Sequence, residues 1–87
     1  MKSRTTRGFR DCLKSLPRDL RKQARKAYKT FAENPAHPSL RFKKIHSKDP
    51  VWSVRVTRDC RAVCLREGDT AIWFWIGSHA DFDKIYG

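Results

Sequence analysis

Titratable side chains gather in the stretch 73–87, directly after a strongly apolar run. The run ends in a Gly-Ser pair, and His79, Asp81 and Tyr86 follow it. Imidazole titrates near neutral pH, so a histidine at the end of a rigid strand can take up or release a proton. His79 is therefore the first candidate for a general acid or base, and the alternative is a histidine that only closes the last turn. Asp81 would either orient His79 or favour the positive end of a short helix.

Two arginines, Arg55 and Arg61, occupy polar positions of the strands that precede this stretch. A guanidinium offers two parallel donors to a phosphate and keeps its charge throughout a reaction. Cleavage of RNA through its own 2′-hydroxyl needs a base, an acid and cations beside the phosphorus, and it needs no metal ion. The two arginines are thus candidates for holding a scissile phosphate, with solvated strand charge as the alternative.

Further candidate residues lie on both sides of these arginines in the chain. His46 could transfer the second proton if the end of its strand lies beside His79; otherwise it is a surface histidine without a role. Lys43 and Lys44 precede it and are expected to steer RNA rather than to react. Phe82 could stack on a base, a contact worth about 1–3 kcal/mol in single-strand binding.

The charge of the chain points to an anionic partner. Twenty Lys and Arg against nine Asp and Glu give a formal charge of +11 on 87 residues. Nucleic acid or an acidic protein would each satisfy this charge. No apolar run reaches the roughly 18 residues of a membrane helix, and the N-terminus lacks the apolar core of a signal peptide. We therefore expect one cytoplasmic domain, residues 1–87, without a membrane role.

The cysteines predict reduced thiols. Cys12, Cys60 and Cys64 are odd in number, and the last two lie too far apart along one strand to form a disulfide. A zinc site that combines them with His46 and His79 can be written down, but the spacing matches no known zinc motif. We therefore expect no metal ion and no other cofactor.

Two amphipathic helices are predicted before the sheet. Phe9, Leu13 and Leu16 recur at helical spacing within 5–16, after a threonine that can cap a helix. A second helix is predicted over 17–34, where a proline opens it and Asn-Pro closes it. Its basic face is either a solvated surface or a docking surface for RNA or an acidic partner. The apolar stripe of this helix consists of Leu20, Ala24, Ala27 and Phe31.

Strand patterns follow a proline-containing turn at 34–39. The predicted strands cover 40–44, 52–57, 60–66 and 70–76. Alternation in the second of them directs Arg55 away from the helices, and a hairpin at Gly68 joins the last two. A short strand at 2–5 could add to the sheet, and 81–86 could form a helical turn. The sequence thus predicts an α+β fold with two N-terminal helices on one face of a mainly antiparallel sheet of four or five strands, the other face being open.

The segment Trp-Ser-Val-Arg-Val-Thr-Arg-Asp-Cys-Arg from Trp52 to Arg61, with the hairpin and apolar strand that follow, resembles the RelE/ParE superfamily of type II toxins over essentially the whole chain. Trp52, Arg55 and Arg61 fall on the positions of that family's Tyr-Arg-Val-Arg-Val strand and Tyr-Arg pair. The ending Gly-Ser-His-Ala-Asp-Phe is similar to the Gly-Thr-His-Ser-Asp-Leu-Phe of YafQ-type toxins, whose histidine is catalytic. This resemblance implies a catalytic role for His79, and Tyr86 matches a near-terminal tyrosine used by some RelE toxins.

The resemblance also implies a function and partners. Such toxins cut messenger RNA in the ribosomal A site and are blocked by a labile antitoxin, here expected to be acidic and to lie across the basic groove as a helix or an added strand. The chain departs from the family at Ser53, where several RelE toxins have a catalytic lysine, and at Cys60, where tyrosine is usual. A ParE-like inhibitor of DNA gyrase and an inactive member, which binds operator DNA through its antitoxin, are the alternatives to a ribosome-dependent endoribonuclease.

Overall fold

The computed structural model describes residues 1–87, which form five strands and three α-helices. The strands are β1 (Lys2–Thr5), β2 (Lys43–Lys44), β3 (Val51–Thr57), β4 (Cys60–Glu67) and β5 (Thr70–Ser78). The helices are α1 (Arg7–Lys14), α2 (Arg18–Glu33) and α3 (His79–Tyr86), and a 3₁₀ turn, Pro38–Leu40, lies between α2 and β2. None of the helices has the length and apolar character needed to cross a bilayer.

Local sequence sets the bounds of the first two helices. The Thr6 hydroxyl caps α1 by accepting from the Phe9 N–H at 3.2 Å, and it donates to the Trp73 carbonyl at 3.0 Å. This pair of bonds fastens the start of α1 to β5. Pro17 restricts the backbone before α2, and the extended conformation of Asn34 ends that helix. Both predicted helices are thus confirmed, with ends that fall within two residues of the expected positions.

The sheet has the order β1-β5-β4-β3-β2. Strands β2 to β5 form the predicted antiparallel meander, and β1 adds a fifth strand in parallel to β5. Gly68 turns the β4–β5 hairpin with a φ of 57°, a left-handed conformation that favours glycine. Bulges place one extra residue in β3 at Val56 and one in β5 at Phe74. The mainly antiparallel α+β fold is therefore confirmed.

The core lies between the sheet and the first two helices. Phe31 of α2 is 1% exposed and packs edge-on against Phe42 and Trp73, at ring-centroid distances of 5.0 and 5.2 Å. Cys60 and Cys64 are fully buried in the same layer. Burial raises the pKa of Cys60 to about 11 and that of Cys64 to about 12, although a neighbouring arginine opposes each shift. Both groups therefore remain neutral thiols near pH 7.

The sequence predicted an open second face of the sheet. In the structure, α3 covers part of this face. Phe82 and Tyr86 of α3 pack against Trp75, with ring centroids 6.4 and 5.8 Å away. The bulge at Phe74 places Trp73 and Trp75 on opposite faces of β5, whereas regular alternation would put them on the same face. Trp75 therefore packs under α3 and not in the core between the sheet and the first two helices.

The first predicted strand is also shorter than expected. Leu40 belongs to the 3₁₀ turn and is 2% exposed, and only Lys43 and Lys44 pair with β3. Leu40 and Phe42 both pack against the core, but they do so from a tight turn and the residues that follow it, not from a strand. In contrast, the helical turn predicted over 81–86 is a full two-turn helix that begins at His79.

Candidate active site

Arg55 and Arg61 lie side by side on the face that α3 partly covers. They are cross-strand partners in β3 and β4, next to the bulge at Val56, so both side chains leave the sheet on the same side. Both residues are half-buried. This register places Arg55 on the sheet face away from α1 and α2, as expected, although the residue also borders a cleft beside α2.

A third arginine joins this pair. Arg41 follows the 3₁₀ turn with a φ of 46°, and extending the β2–β3 register two residues beyond Lys43 places it opposite Arg55. Burial, and then the charges of Arg55 and Arg41, lower the pKa of Arg61, because like charges and a low dielectric disfavour the protonated form. Arg41, Arg55 and Arg61 together are called the arginine cluster below.

One end of the Arg61 guanidinium supports the chain itself. Its Nη1 donates to the carbonyl oxygens of Thr57, Arg58 and Cys60 at 2.6, 3.2 and 3.1 Å, which holds the β3–β4 turn. Its Nε and Nη2 donate to no protein atom. Arg61 can therefore brace the turn with one nitrogen and offer two parallel donors to an oxyanion with the others.

His79 reaches the same end of the sheet from α3. The Ser78 hydroxyl caps α3 by accepting from the Asp81 N–H at 3.1 Å, and the His79 N–H donates to the Asp59 carbonyl in the β3–β4 turn at 2.8 Å. The imidazole Nε2 lies 3.4 Å from Oδ1 of Asp83, one helical turn further on. The turn that Arg61 braces is thus the turn to which the start of α3 is bonded.

Asp83 connects the histidine with the arginine cluster. Its carboxylate lies 3.4 Å from the His79 ring, and its charge opposes the lowering of the Arg61 pKa. Asp81, the acidic residue that the sequence suggested for His79, sits in the first turn of α3, where a negative charge favours the positive end of the helix. The carboxylate beside the imidazole is therefore Asp83.

Aromatic side chains line the site on the α3 side. The Phe82 ring lies 6.4 Å from that of His79 and 5.4 Å from that of Tyr86, and Trp75 packs beneath them. Burial raises the pKa of Tyr86, and the nearby Cys12 adds to the shift, so the phenol is neutral near pH 7. Phe82 and Tyr86, the two aromatic residues expected to bind RNA, thus accompany His79 on α3.

His46 is not brought to this site. It lies in the β2–β3 loop, where its Nδ1 accepts from the N–H groups of Lys48 and Asp49 at 3.3 and 3.1 Å. That loop precedes β3, whereas the turn beside His79 follows β3, and a seven-residue strand spans roughly 20 Å at about 3.3 Å per residue. The condition under which His46 would transfer a second proton is therefore not met.

The two lysines of β2 face opposite sides of the sheet. Lys43 pairs with Ser53 and shares the face of the arginine cluster, whereas Lys44 pairs with Trp52, whose side chain packs against the core. Both are exposed. Of the two, Lys43 is the one placed to extend the positive charge of the cluster.

Sequence reasoning missed Arg41 and Asp83. Arg41 is two residues before Lys43, so strand alternation continued backwards would have assigned it to the face of Arg55. Asp83 follows His79 by four residues, the spacing that brings two side chains together on a helix. The predicted helical turn began at residue 81, so His79 and Asp83 were not expected to lie on one helix.

Gly77 leaves room for the ring of Trp75. A Cβ at this position would lie 2.7 Å from Cζ2 of Trp75, whose ring is held by Phe82 and Tyr86. We expect Gly77→Ala to lower the free energy of unfolding by about 1–3 kcal/mol and to loosen α3. Urea denaturation followed by tryptophan fluorescence measures this change. Gly8→Ala is the matched control, because its Cβ meets atoms only at 3.7 and 3.9 Å; equal losses in the two variants would contradict the prediction.

Comparison with protein families gives one match that covers most of the chain. Residues 18–84 match the model of the ParE-like toxin domain. This range contains α2, the whole meander and most of α3, and therefore His79, Asp83 and the arginine cluster. No curated protein matches the chain significantly.

Solved structures share the fold at low sequence identity. The RelB-RelE antitoxin-toxin complex from Methanococcus jannaschii is similar with a TM-score of 0.75 and 18% identity, over 95% of this chain and 98% of the other. The toxin-antitoxin complex RelBE2 from Mycobacterium tuberculosis gives 0.68 and 18%, over 90% and 96%. A YoeB/ParE toxin from Agrobacterium tumefaciens gives 0.67 and 15%, over 91% and 99%. These likenesses establish that the fold is shared along nearly the full length of each chain.

Proposed function

Because this chain belongs to the family of ParE-like toxin domains, among the type II toxins, we propose that it cleaves messenger RNA in the ribosomal A site and so inhibits translation. The observation that carries the proposal is that Asp83 lies 3.4 Å from the His79 ring while α3 is bonded to the turn that Arg61 braces. A proton acceptor and a phosphate-binding cation are thereby gathered at one end of the sheet. Cleavage of a phosphodiester through its own 2′-hydroxyl uses these two groups.

In this proposal His79 takes the proton of the 2′-hydroxyl. When the proton on Nε2 faces Asp83, the neutral imidazole presents the lone pair of Nδ1 to the substrate. The 2′ oxygen attacks the phosphorus, the bond from phosphorus to the 5′ oxygen breaks, and the 5′ oxygen takes a proton from water. The products are a 2′,3′-cyclic phosphate and a 5′-hydroxyl, and His79 then releases its proton to solvent.

The arginine cluster stabilises the charge that develops on the phosphorus oxygens. Nε and Nη2 of Arg61 are uncommitted, and the side chain of Arg55 forms no hydrogen bond or ion pair, so both side chains can bind the non-bridging oxygens. The charge of Arg61 is held in place before the reaction by its bonds to the β3–β4 turn, so the charged transition state gains more from it than the substrate does. This step uses no metal ion or other cofactor.

A ParE-like toxin that binds DNA gyrase without chemistry is the second candidate. Two observations favour it: Ser53, where several RelE toxins have a catalytic lysine, is buried and uncharged, and Nη1 of Arg61 is committed to the β3–β4 turn. Under this candidate His79 serves only to anchor α3. An inactive member, which binds its antitoxin and reaches operator DNA through it, would cause no growth arrest when expressed alone.

Primer extension on a reporter messenger RNA in a bacterial translation extract tests the proposal. We expect the purified chain to create new 5′ ends within codons, and we expect these ends to disappear when ribosomes are omitted. A reporter with a 2′-deoxynucleotide at the cleaved position should resist cleavage there, because the attacking hydroxyl is missing. Intact message together with inhibited supercoiling by gyrase would replace the first candidate with the second.

The shared fold with two antitoxin-toxin complexes supports an antitoxin as partner, and the charge of +11 supports an acidic one. We expect its association rate constant to fall at least about tenfold as ionic strength rises from roughly 0.05 to roughly 0.5 M, because screening removes long-range steering. The dissociation rate constant should change much less. Stopped-flow mixing of the two purified chains measures both constants. An association rate that does not depend on salt would rule out the electrostatic account.

A further inference from the structure

A polar cleft of about 390 Å³ opens beside the arginine cluster, between α2 and the 3₁₀ turn. It lies along the edge of β3, at the residues beyond the end of β2, where β3 has no further strand partner. Arg55 lines the cleft and is also the cross-strand partner of Arg61. The 3₁₀ turn runs directly into Arg41. The cleft therefore continues from the cluster around the edge of the sheet.

Hydrogen-bond donors without protein partners line this cleft. Lys26 forms no ion pair, and the side chains of Gln23 and Arg55 form no hydrogen bond within the chain. All three are at the surface or half-buried, so they retain access to a ligand. Two cationic groups and one amide thus point to the recognition of an anion.

His37 adds a donor whose position is fixed. Its Nδ1 accepts from the Ser39 backbone N–H at 3.2 Å and lies 2.8 Å from the Ser39 hydroxyl. Because Nδ1 accepts from an N–H, the neutral ring carries its proton on Nε2, which bonds to no protein atom. The residue that caps the 3₁₀ turn therefore also contributes an N–H donor to the lining of the cleft.

The absence of carboxylates distinguishes this cleft from the other polar depressions of the surface. Its lining contains no Asp or Glu, whereas a depression of about 320 Å³ near Met1 contains Asp69 and one of about 600 Å³ near β1 contains Glu67. A carboxylate would repel a phosphate and would compete with it for the same donors. The lining also has no Phe, Tyr or Trp on which a base could stack, so phosphates fit it better than bases do.

We propose that this cleft binds backbone phosphates of the RNA strand next to the scissile phosphate, through Lys26 and His37, while Arg55 at its border holds the scissile phosphate. The inference rests on the proposed function, because it assumes that a single RNA strand lies on the arginine cluster. Contacts to phosphates alone would hold the strand in place without selecting its sequence. The cleft would thus supply affinity and direction, while the choice of codon would lie elsewhere.

Fluorescence anisotropy with a labelled eight-nucleotide RNA, fully 2′-O-methylated to prevent cleavage, tests the inference. We expect Lys26→Ala to raise Kd about three- to tenfold and to lower the slope of log K against log salt by about 0.7 for the lost phosphate contact. Lys29→Ala is the matched control: it removes the same charge from an exposed position of α2 outside the cleft. Equal losses in the two variants, or no binding by the unmodified chain, would overturn the inference.

Two further measurements identify the cleft itself. His37→Asn keeps an acceptor that can cap the 3₁₀ turn but removes the Nε2–H. We therefore expect it to raise the Kd for the eight-nucleotide RNA about two- to threefold. A dinucleotide has no phosphate beyond the scissile one, so Lys26→Ala and the unmodified chain should bind it with the same Kd. A weaker affinity of Lys26→Ala for the dinucleotide would refute the assignment of Lys26 to a neighbouring phosphate. If the Lys26→Ala defect appears while message stays intact in the translation extract, the cleft stands and the proposed endoribonuclease activity fails.

Discussion

Replacing His79 with Ala is expected to slow ribosome-dependent cleavage of messenger RNA by roughly 10²- to 10⁴-fold, the range that a positioned general base contributes. His79 is the histidine whose helix is bonded to the β3–β4 turn, whereas His46 lies beyond the opposite end of β3 and His37 caps the 3₁₀ turn in the neighbouring cleft. The rate constant should be measured at saturating chain over stalled ribosomes, so that weaker binding does not contribute.

His46→Ala is the matched control for this loss, since it removes the same ring from a loop remote from the cluster. Its rate should stay within about twofold of the unmodified chain. Asp83→Asn should lie between the two and should change the rate constant more than the affinity, because it removes the carboxylate that orients the ring. Full cleavage by His79→Ala would contradict the mechanism, and growth arrest without cleavage would favour the gyrase-binding candidate.

Replacing Phe31 with Ala is expected to lower the free energy of unfolding by about 3–5 kcal/mol. The ring is 1% exposed and packs edge-on against both Phe42 and Trp73, so its removal leaves a cavity at the centre of the core. Small domains have a total stability of about 5–15 kcal/mol. The variant should therefore melt tens of degrees lower or fail to fold at 37 °C, as followed by circular dichroism.

Tyr28→Ala supplies the comparison on the same helix. Tyr28 is 46% exposed, so truncation removes less buried surface and should cost less than half as much as the change at Phe31. Urea denaturation of both variants at one temperature gives the two free energies. Similar losses at the two positions would mean that α2 is held by its whole apolar side instead of by the Phe31 contacts.

The strands and helices were accessible from the sequence because each carries a local signal. Alternation assigned Trp52 to the core face and Arg55 to the other, and both assignments are confirmed by the register of β3 and β4. The parallel pairing of β1 with β5 was expected only as an added strand, since a four-residue segment carries no information about its partner. The bulge at Phe74 had no local signal, so the sequence could not show that Trp73 and Trp75 lie on opposite faces of β5.

The candidate site was partly accessible for the same reason. Arg61 and His79 were identified by residue type and by resemblance, and they meet at the β3–β4 turn. Their meeting depends on two long-range facts, the hydrogen bond from His79 to Asp59 and the charge of Asp83 acting on Arg61, which no local pattern encodes. His46 satisfied every local criterion and lies at the wrong end of the sheet.

The pairing of β1 with β5 determines when during synthesis the fold can close. Lys2 pairs with Thr70, so the first strand to be made must wait for a partner that follows 68 residues later. The start of α1 is bonded to the same strand, and α3 with His79 comes later still. A growing chain therefore has neither a closed sheet nor an assembled site. In a chain of this topology, the proposed site can assemble only after β5 and α3 have left the ribosome.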